Sequence, residues 1–227
     1  MIRCTTAKSL GARALALCLL ALPGGCGGLL SGGDTGPAPT YYLLESPAPP
    51  ADAAPRLKEQ GGGPQIVMIL EPSLPGALAT DGIAIRIGAH RIAYLAGARW
   101  SDETPLMLAR LLRHAVDTLP DVVAISEDEV GVVPNWRLVS EVDAFYAEAT
   151  GADAAPTRVA VRLTARLIAA RPADLFAERS FTAEKPVTGG DPEAIVSAFN
   201  AAAGEVARAL ASWLREQLPR DQRHTGG

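Results

Sequence analysis

Between residues 158 and 167 the chain alternates with a period of two. Val159, Val161, Leu163, Ala165 and Leu167 fall on one side, and Arg158, Arg162, Thr164 and Arg166 on the other. Successive strand side chains point to opposite faces, so the pattern describes a strand with one dry face and one wet face. The rest of the chain must then supply what covers the dry face. Leu175 to Lys185 reads as a neighbouring strand, and Arg171 to Asp174, with Pro172, as the turn between them.

Other segments extend this sheet. Tyr41 to Leu44 is a short apolar run, and Gln65 to Leu70 is β-branched between Pro64 and Pro72. Ile83, Ile85 and Ile87 alternate with Ala84 and Arg86. The turn Gly88 to His90 then leads to a hairpin partner at Arg91 to Leu95. Val122 to Ile125 and Trp136 to Tyr146 complete the strands, the latter with a weaker alternation. One helix opens at Pro105 with Asp102 or Thr104 as cap, carries Leu108, Leu111, Leu112, Ala115 and Leu119 on one face, and stops at Pro120. A longer one opens at Asp191 and Pro192 and carries Ile195, Phe199, Ala202, Val206, Ala209, Leu210 and Trp213, ending before Pro219. The expectation is an α+β fold: a mixed, largely antiparallel sheet with two main helices packed on one face.

The amino terminus has its own logic. Arg3, Lys8 and Arg13 precede an unbroken apolar stretch, Ala14 to Leu22, which matches a secretory signal and is too short to span a bilayer comfortably. Gly24 and Gly25 then precede Cys26, small residues that a signal peptidase can fit, so the segment resembles a lipobox with Pro23 at its aliphatic position. Cys4 and Cys18 lie inside the leader, so Cys26 would be the sole cysteine of the secreted chain, and acylation would account for its thiol. Residues 27 to 40, rich in Gly and Pro, read as a tether, and Ser46 to Pro64, with the triplet Gly61 to Gly63, as a loop between strands. The expected organisation is a signal peptide at 1–25, lipidated Cys26 and tether at 26–40, one domain at 41–219 and a disordered tail at 220–227.

Charge and chemistry narrow the function classes. Loss of the leader's three cations lowers the formal charge from −4 to about −7, with no basic stripe to displace counterions, which argues against nucleic acid. His90, His114 and His224 show no metal-ligand spacing, and no nucleophile elbow or phosphate-cradling loop is present. Glu127, Asp128 and Glu129 read as a solvated loop, and Glu141 with Asp143 as a carboxylate pair lacking a basic partner. No cofactor, metal or catalytic residue is expected. Arg86, Arg99 and Trp100 are the candidates for a partner interface, since Arg and Trp are favoured anchors there.

In order, Tyr41 to Leu44, Asp81 to Arg86, Tyr94, Arg99 and Trp100, Val139 to Phe145, and the alanine-rich helix from Ile195 resemble the ABC-type transport auxiliary lipoproteins of the paraquat-inducible protein C type. The resemblance implies a non-enzymatic, outer-membrane-anchored periplasmic lipoprotein, Gly27 after the cysteine fitting that destination. It implies an MCE-domain protein of an ABC-type lipid transport system as partner, with the ATPase on another chain, and leaves homo-oligomerisation open. The rival within the same class is a plug or assembly factor for an outer-membrane β-barrel. The enzyme rival is a hydrolase using Glu141 and Asp143.

Overall fold

The computed structural model describes residues 38–45, 64–152 and 154–218. In chain order they form β1 (Thr40–Tyr42), β2 (Gln65–Ile69), β3 (Gly82–Ile87), β4 (Arg91–Trp100), α1 (Thr104–Asp117), β5 (Val122–Ser126), β6 (Trp136–Ala149), β7 (Arg158–Ala170), β8 (Ala173–Pro186) and α2 (Pro192–Gln217). The leader, Cys26, the tether up to residue 37, the loop at 46–63 and the tail at 220–227 lie outside the described residues.

β6 is the spine of the sheet. Along one edge β7 runs antiparallel to it from Trp136 opposite Ala169 to Glu148 opposite Arg158, and β8 runs antiparallel to β7. The other edge is shared by two strands lying end to end, both parallel to β6. Val67–Ile69 of β2 face Trp136–Leu138, and Ile85–Ile87 of β3 face Ala147–Ala149. Ser73 fills the gap: its N–H donates to the Ser140 carbonyl at 3.0 Å and its carbonyl accepts from the Val142 N–H at 2.9 Å. Residues 65–87 thus run beside β6 as one interrupted strand. β4 pairs antiparallel with β3 and parallel with β1, while β5 pairs parallel with β2.

Among the described residues four of the seven strand pairings are parallel. The sheet is mixed and the class is α+β, but the expectation of a largely antiparallel sheet is not confirmed. Alternation identifies a strand and its wet face; it carries no information on the direction of a neighbour some 70 residues away in sequence.

The weak alternation of β6 has a local cause. Trp136, Leu138, Ser140 and Val142 are buried, then Phe145, Ala147 and Ala149. The register with β7 shifts between Val142 and Ala144, which makes Asp143 the extra residue of a bulge and moves the buried set from even to odd numbers. β7 keeps its dry face, with Val159, Val161, Leu163, Ala165 and Leu167 all buried.

That face is covered by α2, which lies against β7 and β8 and touches α1; α1 in turn lies against β5 and β2. The buried side of α2 is broader than one stripe, because two neighbours must be met. Ala203, Ala207 and Ala211 join it and, being small, permit close approach, whereas Ala209 is exposed. The Asp191 carboxylate accepts from the Ala194 N–H at 2.8 Å, as an N-cap does. At α1 neither expected cap acts. Glu103 occupies the position without a side-chain bond; the Thr104 hydroxyl donates instead to the Thr80 carbonyl, and Asp102 is drawn to Arg110. At the centre of the core the rings of Trp100, Phe145 and Phe199 meet, with centroids 4.9 to 5.9 Å apart.

Candidate functional site

The segments singled out in the sequence come together around Thr80–Asp81–Gly82. The Thr80 hydroxyl accepts from the Gly82 N–H at 2.9 Å, and the Thr80 carbonyl accepts from both the N–H and the hydroxyl of Thr104. The Asp81 carbonyl accepts from the Trp100 N–H at 2.7 Å, while its carboxylate holds Arg99 at 2.8 Å. Gly82 lies under the ring of Tyr94, whose hydroxyl donates to the Ala77 carbonyl. Asp81, Gly82, Tyr94, Arg99 and Trp100 are therefore one corner that fixes the β3–β4 ribbon to the start of α1. No single stretch of sequence announces this, because every contact but the Thr80–Gly82 bond joins segments well apart in the chain.

Beside this corner lies a cleft of about 430 Å³ lined by Tyr41, Ala79, Thr80, Asp81, Trp100, Ser101, Asp102 and Glu103. Its charged walls are three carboxylates, Asp81, Asp102 and Glu103. Arg99 answers Asp81 and Arg110 answers Asp102, and the hydrogen bond from Arg110 holds the Asp102 carboxyl below its ordinary range. β1 forms the rim. Its Tyr42 hydroxyl donates to Glu193 on α2 at 2.9 Å, and the bond to Glu193, desolvation and the charges of Glu193 and Asp191 push that hydroxyl above its ordinary range. The arrangement offers hydrogen-bond acceptors and negative charge next to an exposed tyrosine. It suits recognition of a partner.

The three interface candidates fare differently. Arg99 reaches the surface beside the cleft with half of its side chain exposed. Trp100 is completely buried, so its ring belongs to the core and only its flanks meet the cleft. Arg86 lies away from the cleft, bonded to Glu148 and stacked 4.6 Å from the centre of the Tyr146 ring. Glu148 also holds Arg158, which reaches Glu184, so an ion-pair row crosses β3, β6, β7 and β8 on the face away from the helices.

The other acidic groups have structural work. Glu127 accepts from the Glu71 N–H, tying its loop to the end of β2, and Glu129 accepts from the N–H and hydroxyl of Ser126, closing that loop. Glu141 faces Arg166 at 3.7 Å, a basic neighbour the sequence did not reveal, because it comes from β7. Asp143 is the bulge residue, so the two carboxylates do not share the regular spacing of a flat strand. Among the described residues no group of three His, Cys, Asp or Glu side chains forms a metal cluster, and no helix is long and apolar enough to cross a membrane.

Comparison with known proteins agrees with this construction. A protein of the DUF330 family from Xanthomonas campestris superposes with a TM-score of 0.64 at 21% identity, covering 78% of this chain and 96% of its own. A second solved structure, of an uncharacterized protein, gives a TM-score of 0.60 at 14% identity over 78% of this chain and 99% of its own. At these identities the likeness establishes the fold. No curated protein is similar enough in sequence to count as a match. The family model for the ABC-type transport auxiliary lipoprotein component matches residues 42–211, from β1 through the buried face of α2, and the chain therefore belongs to that family.

Proposed function

We propose that the protein is an outer-membrane-anchored periplasmic lipoprotein, acylated on Cys26, that docks an MCE-domain protein of an ABC-type lipid transport system and helps phospholipid pass, without catalysing a reaction itself. The match to the transport auxiliary lipoproteins over residues 42–211 carries this reading. The leader with Gly24, Gly25 and Cys26 supports the anchor, and Gly27 the outer-membrane destination. Several acyl chains, each buried CH₂ contributing about 0.8 kcal/mol, hold a protein at a bilayer more firmly than one chain can. Arg99 is retained as an interface residue because it stands exposed at the rim of the acidic cleft.

The test is made on cells. Mass spectrometry of the native protein is expected to find a diacylated or triacylated cysteine at the new amino terminus. Cys26→Ala is expected to release the protein from the outer-membrane fraction. Affinity capture of the native protein is expected to bring down an MCE-domain protein. An unacylated Cys26 would refute the anchor, and capture of a β-barrel in place of an MCE protein would refute the partner.

A further inference from the structure

Part of the outer side of the edge strand β1, at Tyr41, is unused among the described residues. Among the described residues it pairs with β4 alone, and the Tyr42 carbonyl accepts from the Ser101 N–H at 2.8 Å; just past its end, Asn200 of α2 donates to the Leu43 carbonyl at 3.5 Å and accepts from the Glu45 N–H at 2.7 Å. Backbone groups of successive residues in such a strand point to alternate sides, so the N–H and carbonyl of Tyr41 turn away from β4. The side chains are as unusual as the backbone. Tyr41 is 62% exposed and Leu43 is 69% exposed, two residues apart and so on one side of the chain.

The charges around this edge are out of balance. Asp81, Asp102 and Glu103 line the cleft that Tyr41 borders. Glu193 and Asp191 lie against Tyr42, and Glu45 follows three residues after it. Arg99 and Arg110 answer two of these carboxylates, and among the described residues no ion pair answers Glu45 or Glu103. Exposed edges are commonly blunted with lysine or covered; among the described residues no backbone covers Tyr41, and its surroundings are apolar in side chain and acidic in charge.

We propose that the free edge of β1 and its neighbouring cleft receive an extended, basic segment of a partner polypeptide, which adds to the sheet as a further strand. Main-chain bonds to Tyr41 supply the pairing, Tyr41 and Leu43 the apolar contact, and Glu45, Glu103 and their neighbours the preference for lysine or arginine. The inference rests on the docking role given above but not on the anchor or on which protein is docked. It is measured on purified protein, so either can fail alone.

The experiment uses the full-length secreted protein and a short fluorescent peptide of alternating lysine and valine, followed by anisotropy. Binding is expected, weakening as salt is raised, and a glutamate–valine peptide of the same length is expected not to bind. Glu45→Gln and Glu103→Gln are each expected to weaken binding about two- to fivefold, the range of an exposed charge pair, and Tyr41→Ala further. Glu178→Gln, on β8 at the far side of the sheet, serves as the control and is expected to change nothing. Methylating alternate peptide nitrogens of the probe removes its strand-pairing groups and is expected to abolish binding. Equal binding of the methylated peptide, indifference to both glutamine variants, or the absence of binding to the lysine–valine peptide would overturn the proposal.

Discussion

Gly82 offers a sharp test of the corner that joins β3, β4 and α1. A Cβ built there would lie 2.5 Å from Tyr94 Cδ1, 2.9 Å from Cε1 and 3.0 Å from Cγ. Carbon atoms in contact settle about 3.5 to 4.0 Å apart, so the overlap with the nearest ring atom is about 1 Å. The ring cannot swing away freely, because its hydroxyl is bonded to the Ala77 carbonyl at 3.0 Å. Overpacking of this kind costs about 1–3 kcal/mol, against a gain of about 0.5–1 kcal/mol when alanine replaces glycine within regular structure. Gly82→Ala is therefore expected to destabilise the native protein by about 1–2 kcal/mol. In a Tyr94→Ala background the obstacle is gone, and the same change is expected to be neutral or stabilising. Urea denaturation of the four proteins closes a double-mutant cycle whose coupling should be about 2 kcal/mol. An equal cost for Gly82→Ala in both backgrounds would show that the glycine is required for something other than the ring above it.

Phe199→Ala, which empties the site between Trp100 and Phe145, is expected to cost about 3–5 kcal/mol by urea denaturation and to weaken the near-ultraviolet dichroism of Trp100. Asp191→Ala removes the bond to the Ala194 N–H and is expected to cost about 1 kcal/mol, with Asp191→Asn restoring most of it. The lowered Asp102 carboxyl gives a pH dependence of defined sign. A carboxylate whose folded-state value is depressed contributes stability that is complete above its unfolded value, near 4, and is lost as pH falls through the lower folded value. The denaturation midpoint of the native protein is expected to fall more steeply below pH 4 than that of Asp102→Asn, and identical slopes would show that the Arg110 pair does not couple to folding.

Much of the local structure was legible because its causes are local. The period of two at Val159–Leu167 follows from the pleat, and the start of α2 follows from Asp191 and Pro192, whose cap and ring act within one turn. The start of α1 was misread for the converse reason: Asp102 and Thr104 are both good caps by residue type, but Arg110 and the Thr80 carbonyl compete for them, and Thr80 belongs to a distant segment. Trp100 shows the same limit at the candidate site. Its type suggested an interface anchor, while the positions of Phe145 and Phe199 make it core. Arg99 stands out in the sequence by residue type and lies exposed beside the cleft, but the cleft itself was not legible, since Tyr41, Asp81 and Glu103 meet there from separate elements.

The sequence by itself determined which stretches are strands and helices, which of their faces are dry, and the apolar amino-terminal run and Cys26 from which the anchoring proposal is argued, because each is written in residues adjacent or nearly so. Only the tertiary structure decided that β2 and β3 lie end to end along β6, that β1 stands at the edge of the described sheet, and that carboxylates from several elements lie near it. Strand direction and edge exposure depend on which backbone finds which partner across the whole chain, and side-chain periodicity is silent on that choice.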